Sequence, residues 1–119
     1  MMENVHNLAL FGNGEVMCWI LRTLLHLGYQ TTFSGLQAGH FGVAQSQRRL
    51  IIIAAAPGDK LPCFPEPMHV FPGRMFEEVI LLNKRFFGTN MSPGAPRRSI
   101  TMWDVISDLP RISSGNTVD

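Results

Sequence analysis

The longest regular pattern in the chain runs from Glu15 to Leu27. Val16, Ile20, Leu24 and Leu27 recur at helical spacing, while Glu15, Trp19, Arg22 and His26 fall on the opposite side. This spacing predicts an amphipathic helix with the four apolar residues as its buried stripe. Asn13 is the candidate cap, and Glu15 suits the positive end of the helix dipole. Gly28 is placed to close the helix in a left-handed conformation. Residues 29–37, YQTTFSGLQ, read as a strand rich in β-formers and interrupted by Gly35. AGHFG follows as a turn. Residues 48–56 read as a second strand. Its Leu-Ile-Ile-Ile run has no alternation, which predicts cover on both faces. The two strands are close enough in sequence to pair antiparallel. Residues 1–10 show no strong period.

After Pro57 the pattern changes. PGDKLPCFPEPMHVFPG holds five prolines, which excludes a helix interior or a central strand. Residues 77–87, EEVILLNKRFF, suit a strand or a short helix, the strand being preferred, and 89–98 read as a loop. ITMWDVISDLP, 100–110, predicts a short helix with Thr101 as cap and Asp104 near its start. The tail SSGNTVD is expected to fray. One helix and two strands do not complete a sheet, because a buried strand needs neighbours on both sides. The pattern therefore predicts a piece of a larger α/β domain. Residues 1–57 carry that piece and residues 58–119 an irregular segment.

Composition narrows the picture modestly. The 119 residues leave room for one small domain, and 45% hydrophobic content allows a core. A net charge of +1 is low for a dedicated nucleic-acid module, so any such contact falls to local clusters. Arg48–Arg49 and Arg97–Arg98 are the two Arg pairs. Leu50–Ala56, the longest apolar run, is too short to span a bilayer, and the N-terminus has no signal-peptide pattern. Cys18 and Cys63 have no zinc-type spacing and fit a reducing compartment. His6, His26, His40 and His69 have no metal-ligand spacing either. No Gly-rich phosphate loop follows a predicted strand, since FGNG lacks that context.

Few polar residues remain as candidates for chemistry. Glu3 and Asn4 are either a solvated terminus or the end of a strand, where α/β proteins hold ligands. Gln45, Gln47, Arg48 and Arg49 lead into the apolar strand. In one reading the arginine heads simply reach solvent beside it. In the other, pleat geometry sets Gln45, Gln47 and Arg49 on one face and Ser46 and Arg48 on the other. A row of two amides and a guanidinium suits a planar heterocycle or a phosphate. Cys63 is read as an inert loop cysteine, and Cys18 and Trp103 as packing residues.

Three segments, in order, carry a resemblance. ENV, Glu3–Val5, is followed by LGYQTTFSGLQAG and then by GVAQSQRR. Together they resemble the catalytic domain of DNA (cytosine-5)-methyltransferases. Residues 28–71 and SITMWDVISDLP, 99–110, are most similar to the maintenance type of animals. The resemblance covers nearly the whole chain. It implies part of a Rossmann-like methyltransferase domain leading, from residue 58, into a target-recognition region. It also implies a nuclear protein with DNA as partner and S-adenosylmethionine as methyl donor. Such enzymes flip a cytosine out of the duplex. A cysteine attacks carbon 6, and carbon 5 receives the methyl group. The glutamate that binds ring N3 and the exocyclic amine matches Glu3. The second pocket motif is Gln-x-Arg-x-Arg; its glutamine matches Gln45, and its last arginine, which reads the carbonyl and backbone of the flipped base, matches Arg49.

The chain departs from the family at one motif position. The first arginine of that motif falls on Gln47, with GVAQ and AAAPG pinning the register on both sides. Glutamine lacks the fixed charge and the bidentate fork. The resemblance also places the cofactor loop and the Pro-Cys nucleophile before residue 1, and Pro62–Cys63 is not that motif. No cofactor binding and no methyl transfer are therefore expected of the chain alone. The alternative is a non-catalytic truncated or degenerate copy with at most weak DNA contacts through Arg49 and Arg97–Arg98.

Overall fold

A computed structural model describes residues 1–72, 79–81, 84–86 and 94–111. The chain forms a small α/β arrangement, one long helix on a three-stranded antiparallel sheet. In chain order the elements are β1 (Met2–Val5), α1 (Glu15–His26), β2 (Gln30–Gln37), β3 (Arg48–Ala55), β4 (Val79–Leu81), β5 (Lys84–Phe86) and α2 (Met102–Ile106). The main sheet runs β1-β3-β2. β2 and β3 pair antiparallel along their full length, from Gln30 opposite Ala55 to Gln37 opposite Arg48. Gly35 does not interrupt β2. The other neighbour that β3 requires is β1, antiparallel, with Glu3 opposite Ile51 and Val5 opposite Arg49. A four-residue strand is too short to announce itself by alternation.

The core lies between α1 and one face of β3. Ala9, Met17, Leu50 and Ile52 are buried there, with Leu8, Cys18, Ile20, Leu21, Leu24 and Phe33 packed around them. Leu50 and Ile52 share that face by the two-residue period of a strand. Ile51 and Ile53 on the other face are only half-buried, so the expected cover on both faces is incomplete. Two details of α1 differ from expectation. Met17 is the fully buried helical residue, whereas Leu27 is 64% exposed, because the helix ends at His26. The cap is Gly14 at φ +84°, not Asn13. Asn13 is itself left-handed at φ +55°, a conformation that Asn tolerates better than most residues. Gly28 closes the helix at φ +85°, as the sequence predicts. Tyr29 N–H bonds Leu24 O at 3.0 Å and Gly28 N–H bonds Leu25 O at 3.0 Å, a Schellman closure. The FGNG turn does stand between a strand and a helix, but through two 3-10 turns rather than directly.

The Pro-rich segment is tied down. Met68 and His69 N–H both bond His40 O, at 2.9 and 3.0 Å. Arg97 O accepts from Val70 N–H at 2.8 Å, and His69 Nδ1 lies 2.7 Å from Arg98 O. Phe71 covers Gly39, where any Cβ would sit inside its ring. These contacts join three distant segments over the 3-10 turn Ala38–Phe41. The strand predicted over 77–87 is instead two short strands, β4 and β5, paired antiparallel. Of the 89–98 loop, 94–98 is described; the SSGNTVD tail lies outside the described residues.

α2 begins with the predicted Thr101 cap, completed as a capping box by Asp104. Arg98 adds two bonds to the Asp104 carboxylate, at 2.7 and 2.8 Å. The Arg98 bonds, then the Thr101 N–H and hydroxyl, hold the Asp104 carboxyl well below the usual carboxylate range. A carboxyl whose folded pKa is depressed contributes stability above its unfolded pKa and loses it as pH falls through the folded value. The α2 start is therefore expected to persist to pH values at which free carboxylates are already protonated. A nuclear magnetic resonance titration of the Asp104 carboxyl carbon checks this. An ordinary carboxylate midpoint would contradict the network.

Candidate functional site

Strand pairing determines which polar residues meet. Since Leu50 and Ile52 face α1, Arg49 and Ile51 face the other way. Across the β1–β3 ladder Glu3 stands opposite Ile51, and therefore diagonal to Arg49 on the same face. Diagonal neighbours lie roughly 7–8 Å apart at the backbone, within reach of long side chains. Arg49 Nε meets Glu3 Oε1 at 2.5 Å. Their side chains are 38% and 52% exposed, so solvent screens the pair and its worth to stability is about 0–1 kcal/mol. The pair is thus a poor stabilising device but is open to a ligand.

The amides complete the cluster. Gln45–Gln47 precede β3 and are not part of the strand, yet their side chains come back to Arg49. The Gln47 backbone is fixed by Ala38 N–H, which bonds Gln47 O at 2.9 Å. The neighbours of its amide leave an acceptor facing Arg49 and a donor facing Gln45. In that orientation its oxygen accepts from Arg49 Nη1 at 3.2 Å and from Nη2, and its nitrogen donates to Gln45 Oε1 at 3.2 Å. Arg49 Nη1 also donates to Arg48 O at 3.3 Å. Glu3, Gln45, Gln47 and Arg49 form one connected group.

Arg48 stands apart from it, on the α1 side of β3 by alternation. There the structure adds a residue that the sequence pattern did not single out. His6 directly follows β1; burial first, then the Arg48 charge, pushes its imidazole below its ordinary value. Its position next to ENV was the only signal available. The second Arg pair is not a free basic patch, because Arg98 is held by Asp104. Cys18 packs against the core and Cys63 is exposed in the Pro-rich loop. Among the described residues no cluster of His, Cys, Asp and Glu is arranged to hold a metal. No described helix is long and apolar enough to cross a membrane.

Residues 1–93 match the profile of C-5 cytosine-specific DNA methylases. The chain belongs to this family. Curated members of the methylase family extend the likeness across nearly all of it. DNA (cytosine-5)-methyltransferase 1 of Rattus norvegicus is 48% identical over 117 residues, which cover 97% of this chain and 7% of the relative. The protein of the same name from Gallus gallus is 46% identical over 97% of the chain and 8% of its own length. DNA (cytosine-5)-methyltransferase PliMCI of Paracentrotus lividus is 44% identical over 97% and 7%. The chain thus spans less than a tenth of the length of these relatives.

Proposed function

We propose that this chain forms one wall of the cytosine pocket of a DNA (cytosine-5)-methyltransferase. The observation that carries the reading is the half-exposed Glu3–Arg49 pair, set side by side on two neighbouring strands. The edge of a cytosine offers an exocyclic amine that donates, a ring nitrogen N3, and a carbonyl that accepts. Glu3 answers the amine and N3, and Arg49 answers the carbonyl. A carboxyl beside N3, sharing a proton with it, offsets the negative charge that develops on the ring during attack at carbon 6. Gln45 and Gln47 supply further polar contact on the same face, and Arg48, on the α1 side of β3, contacts DNA outside the pocket. S-adenosylmethionine supplies the methyl group in the complete enzyme, and this chain contributes no residue to its site. The sheet and α1 belong to a Rossmann-like domain, residues 58–119 begin the target-recognition region, and the protein acts on DNA in the nucleus.

The chain by itself transfers no methyl group in this reading. Cys18 lies on the α1 side of the sheet, away from Glu3 and Arg49, and Cys63 sits in the Pro-rich loop. Neither supplies the nucleophile, and without it the covalent path is missing. A methyl-transfer assay on the purified chain is expected to show no product. The same assay on a chimera, with this chain replacing the matching segment of rat DNA (cytosine-5)-methyltransferase 1, is expected to show turnover. Cysteine-dependent turnover by the chain alone would overturn the first expectation. An inert but folded chimera would favour a degenerate copy.

A further inference from the structure

We infer that Gln47 is a positioning residue, which holds the Arg49 guanidinium in line with Glu3. The inference rests on the cytosine-pocket reading for its functional meaning, and on contact geometry alone for its substance. Arg49 is gripped on two sides. Glu3 takes Nε, and the Gln47 oxygen takes Nη1 and Nη2. Held only by a half-exposed carboxylate, a long arginine would sample many rotamers. A neutral acceptor on its other edge removes that freedom without competing for the charge of Glu3. Gln47 can do so because both ends of it are fixed. Ala38 N–H holds its backbone, and Gln45 Oε1 holds its amide nitrogen. The chain of contacts runs Gln45, Gln47, Arg49, Glu3.

An arginine at 47 inverts this logic. Guanidinium has no acceptor. It would leave the Nη edge of Arg49 without the bond that the Gln47 oxygen gives it.

The test reads the exposure of Arg49 directly. The full chain is treated with phenylglyoxal, an arginine-selective reagent, and modification at each arginine is followed by peptide mass spectrometry. Arg22 serves as the exposed internal reference. Q47A is expected to speed modification of Arg49 relative to Arg22 by roughly tenfold or more, the size that the loss of one charge-assisted hydrogen bond implies. Q47E, which keeps an acceptor, is expected to preserve protection, and Q47R to lose it. Equal relative rates in wild type and Q47A would overturn the inference, as would protection by Q47R. Should Q47A unfold the chain, all arginines accelerate together, and the contrast between Q47E and Q47R decides in the same way. The readout needs no methyl transfer. It can fail while the pocket reading stands, and an inactive chimera with Arg49 still protected by Gln47 would sink only the pocket.

Discussion

Leu50→Ala is expected to remove about 2–5 kcal/mol of stability, toward the upper end of that range. Leu50 is fully buried at the centre of β3, between β1 and β2. The cost of such a truncation depends on how well the surroundings close the hole. Here they close it poorly. The residue opposite Leu50 on β1 is Asn4, and the one on β2 is Gly35. Neither brings an apolar side chain to the gap. Met17, which packs from α1, is flexible enough to move in part. A domain this small has little stability to lose, so the variant is expected to forfeit cooperative unfolding altogether. Urea melts followed by helical circular dichroism check this. Leu25→Ala, at a site 58% exposed, is the control and should change stability by less than about 0.5 kcal/mol. Equal losses at the two sites would mean that the α1–β3 interface is not the core of the folded chain.

What the sequence could and could not reveal follows from length and from partners. α1, β2 and β3 were legible because each is eight residues or longer, long enough for a period or a β-rich run to show. α2 was legible from chemistry instead, since Thr101 and Asp104 spell a capping box. β1 was hidden because four residues carry no readable period, and the single strand predicted over 77–87 did not show that two short strands pair there. Asn13 misled because a good capping residue also tolerates left-handed backbone, and here the second property is the one used. The contacts that clamp the Pro-rich loop were invisible, being made mostly by backbone groups far apart in sequence. The site was legible in a different way. Periodicity alone never joined Glu3 to Arg49; only the resemblance did. The pleat argument did group Gln45, Gln47 and Arg49, although the first two lie before the strand. It took Gln47 as a ligand contact, and in the folded chain the same amide also meets Arg49.

Glu3→Gln in the rat chimera is expected to lower kcat about 10²–10³-fold, the usual loss when one preorganised group facing the developing charge is removed. The substitution keeps shape and one acceptor, but it removes the acid. A carboxyl can hold or share a proton at ring N3, and an amide cannot. Folding should be almost untouched, because the Glu3–Arg49 pair is screened by solvent. This separation between rate and stability is the useful feature of the experiment. If Glu3 were merely a solvated residue near the start of β1, both quantities would stay near wild type. If it were a structural clamp on β3, stability would fall along with rate. The pocket reading alone expects a large loss of kcat with an unchanged melting curve. Parallel measurement of turnover and thermal unfolding in the same chimera separates the three, and an unaltered kcat would remove Glu3 from the chemistry.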